Sequence, residues 1–277
     1  MQRTLYVTDM DGTLLGGDSR VSSRSARIIS ELSHDGVLIT VATARTPATV
    51  EPLLSDTYTS LPAIVMTGAA LWDRRLRRYD RACYINDKTS RDIGMMCCRY
   101  GVNPFVYTFG ADGILDVYYC GEMSGKERAF VEERVNLPLK RFHVNEPACN
   151  QHPDGKVALY FAMGERERIF ALAGELRERV DCSVSCYVDI FGKDTGILEL
   201  FAPQVSKAEA VRRLSGSVCA GKVVVFGDNL NDIPMMQAAD VAVAVDNALP
   251  EVKAIADVVI GRNTDDAVAE FIRREAE

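Results

Sequence analysis

The chain opens on apolar runs too short for helices, separated by stretches whose apolar residues recur at helical spacing. Residues 5–8 read as a buried strand, and residues 22–34 carry Ala26, Ile29 and Leu32 on one helical face before Gly36 ends the pattern. Residues 37–42 form a second apolar strand. A helix is then expected to start at Thr46-Pro47, with Thr46 as N-cap and Pro47 in the first helical position, and residues 63–66 make a third strand. Strands this apolar must be covered on both faces, so their alternation with helices predicts a parallel, doubly wound sheet. The rhythm returns with strands at 222–226, 241–245 and 257–260, which are expected to complete that sheet. Between the halves the character changes to strands with polar alternation, such as 157–161, and helices such as 165–180. The expected architecture is therefore an α/β core of residues 1–81 and 192–277, with an inserted α/β domain over 82–191. No internal repeat or low-complexity tract interrupts it.

Composition narrows the function classes. At 277 residues, 47% hydrophobic and 26% charged, the chain is long and apolar enough for two packed domains and unlike a disordered chain. A formal net charge of -7 disfavours nucleic acid and anionic membranes as partners, but a bound cation would still let a small anion approach. No apolar run approaches the roughly 18 residues of a membrane helix. Met1 leads straight into the first strand without a charged, then apolar, leader, so a cytoplasmic location is expected. The eight cysteines are then expected to stay reduced. Cys182 and Cys186 are too far apart for a CxxC pair, and His34, His143 and His152 form no ligand-spaced set with them, so no zinc is expected.

Four positions carry candidate chemistry. Asp9-Met10-Asp11-Gly12-Thr13-Leu14 follows the first strand directly, where open α/β sheets bind their ligands. Side chains two apart on extended chain share a side, which places the carboxylates of Asp9 and Asp11 together; two such anions call for a hard cation or strong donors. The plain alternative is an Asp-Gly turn with a solvated neighbour. Gly227-Asp228-Asn229-Leu230-Asn231-Asp232 follows another apolar strand and offers carboxylates that could complete an oxygen-rich site. Alternatively, Asn231 or Asp232 caps the helix containing Pro234, and both readings can hold together. Thr43 ends the second strand, either as a hydroxyl donor to a phosphoryl oxygen or as an ordinary loop residue. Lys207 stands where a helix begins, against the macrodipole, a placement that asks for a nearby anion unless the side chain is simply solvated.

In this order the four sites resemble the haloacid dehalogenase superfamily, and within it the Cof-like phosphatases with a large α/β cap. The resemblance spans nearly the whole chain, including the insert and the ending from Asp240 to Ala248, Pro250-Glu251-Val252-Lys253 and Ala256-Asp257. It implies a Rossmann-like core, and a Mg²⁺-dependent phosphatase acting on small phosphorylated metabolites such as sugar phosphates. Asp9 would be the nucleophile, and Asp11 the general acid and then the general base. Thr43 and Lys207 would hold the phosphoryl group, with Gly12, Ala44, Arg45 and Asn231 around it. Mg²⁺ would be bound by Asp9, Asp228 and the main-chain carbonyl of Asp11, with Asp232 and Asn231 supporting the shell. Family pumps carry threonine in place of the second aspartate, so Asp11 points to rapid hydrolysis; a phosphomutase would also keep it, and a phospho-ligand sensor would need neither carboxylate. The chain departs from the family pattern at Thr67, Ala44 and Asp246, where asparagine, glycine and glycine are usual.

The insert is expected to act as a lid that excludes water, with hinges near Arg81-Ala82 and Phe191-Gly192. The basic stretch 72–79 is expected to be a solvated hairpin rather than an anion trap. Tyr118, Tyr119, Phe161, Tyr187 and Phe191 lie at spacings typical of core, so none is assigned to specificity.

Overall fold

The computed structural model describes residues 3–146, 156–189 and 192–276. It divides into two compact units, Met1–Asp80 with Ser206–Glu277, and Arg81–Val205. Of the residues named above, Met1, His152 and Phe191 lie outside the described residues, as does Cys149 among the eight cysteines. No helix among those described is long and apolar enough to cross a membrane.

The first unit begins β1 (Thr4–Thr8), α1 (Ser23–His34), β2 (Leu38–Val41), α2 (Pro47–Leu53), β3 (Ala63–Val65), β4 (Ala70–Asp73) and β5 (Arg78–Asp80). The second continues with α3 (Asp87–Arg99), β6 (Phe105–Phe109), β7 (Leu115–Tyr119), α4 (Gly125–Glu132), β8 (Lys140–Val144), β9 (Val157–Glu165), α5 (Arg166–Arg179), β10 (Ser183–Asp189) and β11 (Gly192–Phe201). The chain then returns to the first unit through α6 (Lys207–Ser217), β12 (Lys222–Gly227), α7 (Ile233–Gln237), β13 (Val241–Ala244), α8 (Pro250–Lys253), β14 (Val258–Val259) and α9 (Ala267–Ala276).

Among the described residues the first unit's main sheet is parallel throughout, in the order β14-β13-β12-β1-β2. Its strands are buried, with Leu5, Val7, Val225 and Phe226 fully inside, as a sheet covered on both faces requires. Helix α1 starts where Ser22 accepts the backbone N–H of Ser25 and stops at Gly36, whose φ of +90° suits glycine. On α9, Phe271 meets Phe226 edge-on at 5.5 Å.

One expected core strand behaves differently. β3 touches the parallel sheet through a single bridge, Ala42 to Ile64, and otherwise pairs antiparallel with β4, which pairs in turn with β5. The cause is local: Met66, Thr67 and Gly68 take φ of +50°, +57° and +97°, which turns the chain back on itself directly after β3. The β4–β5 hairpin carries the basic stretch, and its solvation is divided. Arg75, Arg77 and Arg78 are exposed. Trp72 is fully buried and donates its indole N–H to Glu51 Oε1 at 2.5 Å, while Arg74 donates to the carbonyls of Leu54 and Thr57 at 2.6 and 2.7 Å. Arg74 is thus an anchor for the loop after α2.

The second unit holds a sheet in the order β10-β11-β9-β6-β7-β8, antiparallel except for the β7–β8 pair. β11 pairs with both β9 and β10, so residues 192–201 belong to this sheet and the return to the core falls after Val205 instead of at 192. Helix α5 buries Ile169, Leu172, Ala173 and Leu176 against it. Phe130 on α4 packs against Phe105 and Phe161 at 5.1 and 5.0 Å. Tyr118, Tyr119 and Phe161 are buried as core side chains, whereas Tyr187 is exposed.

Candidate active site

The register of the parallel sheet builds the site. Thr8 pairs with Phe226 on one side and Val41 on the other, so β1, β12 and β2 end level with one another. Asp9, Gly227-Asp228 and Thr43, which lie at or within two residues of those strand ends, are delivered to the same edge. Asp9 N–H continues the ladder to the Phe226 carbonyl at 3.0 Å before the chain coils through Met10–Leu14. Gly12 makes that coil possible for two reasons. Its φ is +78°, and a Cβ there would lie 2.4 Å from Asp228 Oδ2. Thr13 Oγ1 donates to Asp228 Oδ1 at 2.8 Å, tying the two strand ends together.

Lys207 is the first residue of α6, whose N-cap Ser206 accepts the Glu209 N–H. It is buried, and its ammonium donates to Asp9 Oδ1 at 2.5 Å and to Asp232 Oδ1 at 2.8 Å. These anions are what compensates a cation placed against the macrodipole. Asp232 Oδ2 meanwhile accepts the backbone N–H groups of Asp228 and Asn229 at 3.1 and 3.2 Å, so both its oxygens are engaged. Asn229 and Asp232 form a capping box for the turn Leu230–Asp232, and Asp232 also holds the N-cap position of α7, the helix containing Pro234, where its side chain is given to the acid cluster and makes no capping bond.

Asp9, Asp228 and Asp232 each offer an oxygen within 4.8 Å of the others. Three carboxylates face one ammonium, so the cluster is short of positive charge. Burial pushes the Asp9 carboxyl up, against the pull of Lys207, and burial likewise raises Asp228. For Lys207 burial works downward, but the attraction of Asp9 and then Asp232 prevails and its pKa is raised. Asp9 and Lys207 move the same way because burial outweighs attraction at Asp9, whereas attraction to two carboxylates outweighs burial at Lys207. Among the described residues Asp9 Oδ2 and Asp228 Oδ2 take no hydrogen bond. An all-oxygen donor set with a charge deficit fits a hard divalent cation such as Mg²⁺.

Asp11 is placed differently from the expected side-by-side pair with Asp9. Its exposed carboxylate is held by Arg45 in a bidentate pair, Nε to Oδ2 at 2.7 Å and Nη2 to Oδ1 at 2.6 Å, and it lies outside the three-carboxylate cluster. The i, i+2 rule holds for continuing strand, and here the chain leaves the strand at Asp9. Thr43 is buried, and its hydroxyl accepts the Arg45 backbone N–H at 3.1 Å. Ala44 and Asn231 are exposed near the same edge. Thr46 and Pro47 occupy the N-cap and first position of α2, though the Thr46 side chain makes no capping bond.

Two neighbours of the site escaped the sequence reading. Asn247 Nδ2 donates to the Gly12 carbonyl at 2.7 Å, and Asn263 Nδ2 donates to the Leu15 carbonyl at 2.7 Å. The signal available was position: Asn247 comes after β13 at the same sheet edge. Its neighbour Asp246 points to Lys253, at 3.0 Å. The Thr67-Gly68 pair also has a reason, since a Cβ on Gly68 would lie 2.3 Å from the Ser206 carbonyl oxygen, next to Lys207.

A parallel sheet with buried carboxylates and a lysine at its carboxyl edge is a site suited to holding a cation and an anion together. The family model for haloacid dehalogenase-like hydrolases matches residues 6–272, and the chain belongs to that family. The chain is 26% identical to the 5-amino-6-(5-phospho-D-ribitylamino)uracil phosphatase of Bacillus subtilis, over 97% of this chain and 94% of that one. Its fold is similar to a crystal structure from Thermotoga maritima, with a TM-score of 0.76 and 24% identity over 99% of this chain and 97% of that one. It is also similar to a sugar phosphatase of haloacid dehalogenase subclass IIB, with a TM-score of 0.69 and 19% identity over 99% and 98% of the two chains. With this family, this site and a full-length relative that is a phosphatase, the chain is a hydrolase of the phosphatase kind.

Proposed function

We propose that the protein is a Mg²⁺-dependent phosphomonoester hydrolase acting on small phosphorylated metabolites, sugar phosphates first among them, through a phospho-aspartate on Asp9. The observation that carries this reading is the pairing of buried Asp9 with Lys207 at the strand end, beside Asp228. Asp9 Oδ2 attacks phosphorus while the bond to the ester oxygen breaks, and the leaving alkoxide takes a proton that Asp11 has gained from solvent on parting from Arg45. Asp11 then removes a proton from water, which attacks the acyl phosphate, frees inorganic phosphate and restores the Asp9 carboxylate. For both steps Asp11 has to part from Arg45, which leaves that guanidinium available to a phosphoryl oxygen. Thr43 and Lys207 spread the charge of the transferring group. Asp9, Asp228 and the Asp11 carbonyl would hold the metal, with Asp232 and Asn231 behind them, and its chemistry is to offset repulsion between an anionic nucleophile and an anionic ester. Substrate choice is assigned to the second unit.

The test is release of inorganic phosphate from p-nitrophenyl phosphate and from a panel of sugar phosphates, with Mg²⁺ and with EDTA. Mg²⁺-dependent, multiple-turnover release supports the reading. Tight binding of phosphorylated ligands without turnover points to a sensor, and transfer to a second sugar hydroxyl in place of water to a mutase.

A further inference from the structure

The segment after β13 touches both halves of the acid cluster. Through its backbone it holds the end of β12 and the aspartate beyond it: Val245 N–H donates to the Gly227 carbonyl at 3.4 Å and Leu249 N–H to the Asp228 carbonyl at 2.9 Å. Through one side chain it holds the Asp9 loop, because Asn247 Nδ2 donates to the Gly12 carbonyl. Asn247 is itself oriented, since its Oδ1 accepts the Asn263 backbone N–H at 2.9 Å, which fixes which end of the amide faces Gly12. Asn263 adds a second tie to the same loop at Leu15. The loop is thus fastened at two carbonyls by residues more than 230 positions away in sequence. Between the fastened points and β12 lies the close approach at Gly12, whose missing Cβ is what allows Asp228 Oδ2 to sit against it.

We propose that Asn247, oriented by Asn263, is a positioning residue that sets the spacing between Asp9 and Asp228 and thereby the affinity of the pair for a divalent cation. The inference rests on the metal reading above. Asn247 touches neither the carboxylates nor a substrate; it acts through the Gly12 carbonyl. Where an outer residue orients ligands, its loss weakens metal binding while the fold stands. The two pinned carbonyls belong to a loop already bounded by β1 and the Leu15–Met10 bond at 2.8 Å, so the unbound fold has other supports.

The experiment is isothermal titration of the full-length, chelator-stripped protein with MgCl₂ alone, comparing wild type, Asn247→Ala and Asn263→Ala, with the melting temperature of each metal-free protein measured beside it. The expected result is that Asn247→Ala weakens Mg²⁺ binding by about 10-fold and Asn263→Ala by a smaller factor, with metal-free melting close to wild type. Equal Mg²⁺ affinity in wild type and Asn247→Ala overturns the positioning role and leaves the metal reading intact. A wild type that binds no Mg²⁺ overturns both. If Asn247→Ala melts far below wild type before metal is added, Asn263→Ala decides: weakened affinity there upholds the proposal, and unchanged affinity makes the pair structural and ends it.

Discussion

At the scale of single residues, the roles proposed for Asp9 and Lys207 can be tested separately. Asp9→Asn keeps the size of the side chain and an oxygen to accept from Lys207, so the fold should survive while the proposed nucleophile is lost. Turnover of p-nitrophenyl phosphate is expected to fall by about a thousandfold or more with little change in melting temperature. Activity retained in that variant removes Asp9 from its role. Lys207→Met acts the other way. It keeps much of the volume but strands the carboxylates of Asp9 and Asp232 without their ammonium, at 2.5 and 2.8 Å in the native site. Breaking a buried pair in this way costs about 3–5 kcal/mol. Urea unfolding in EDTA at neutral pH should show a loss of that order; an unchanged midpoint would mean that the pair contributes nothing to folding. These two residues were legible because each chemical group is its own sequence signal: an acid after a strand, a cation at a helix start. Asn247 and Asn263 were not, because they act on backbone carbonyls, and a carbonyl leaves no trace in the pattern of side chains.

At the scale of elements, apolar runs marked strands well and their partners poorly. β1, β2, β12 and β13 formed the parallel sheet that their buried patterns required. β3, equally apolar, went mainly to a hairpin, because three consecutive positive-φ residues reversed the chain after it. Only Gly68 of the three announces such a turn in sequence; Met66 and Thr67 do not. In the second unit, His143 on β8 joins neighbouring elements through charge. Its Nε2 faces Asp116 on β7 at 2.8 Å, its Nδ1 faces Glu146 at 3.0 Å, Tyr118 stacks on the ring at 4.6 Å, and Arg141 reaches Asp116 at 3.4 Å. Only the doubly protonated ring donates to both carboxylates. Burial alone would lower its pKa, but the bonds to Asp116 and Glu146 outweigh it and the pKa rises above the ordinary 6.5. Because the folded value is the higher one, the stabilisation is complete below the ordinary value and disappears as pH climbs through the folded value. The urea midpoint of wild type should therefore exceed that of His143→Gln at about pH 5.5, with the gap shrinking towards about pH 8.5. A gap of the same size at both pH values would refute the doubly protonated ring.

At the scale of the whole molecule, the change in strand character expected near residue 82 lies beside the boundary of the second unit at Arg81, whereas the return expected at 192 lies beside neither boundary, since that unit runs to Val205. Residues 192–201 carry the buried run Ile197-Leu198 and Leu200-Phe201, which by pattern alone suits either sheet; pairing with β9 and β10 decided it. Net charge bears on function at this scale. A chain of formal charge -7 with three carboxylates gathered at one sheet edge repels a phosphate ester, and Lys207 is already committed to two of the three. A divalent cation bound as proposed above would relieve that repulsion in the folded protein, whereas the unfolded chain, with Asp9 and Asp228 more than 200 positions apart, gathers no such site. Binding to the native state alone must raise stability as RT ln(1 + [Mg²⁺]/Kd), about 2.7 kcal/mol when the metal stands at 100 times Kd. EDTA should therefore abolish phosphate release and lower the melting temperature together, and added Mg²⁺ should restore both over one concentration range. Were melting to stay fixed while activity returned, the metal would arrive with the substrate and the carboxylate cluster would not be its resting place.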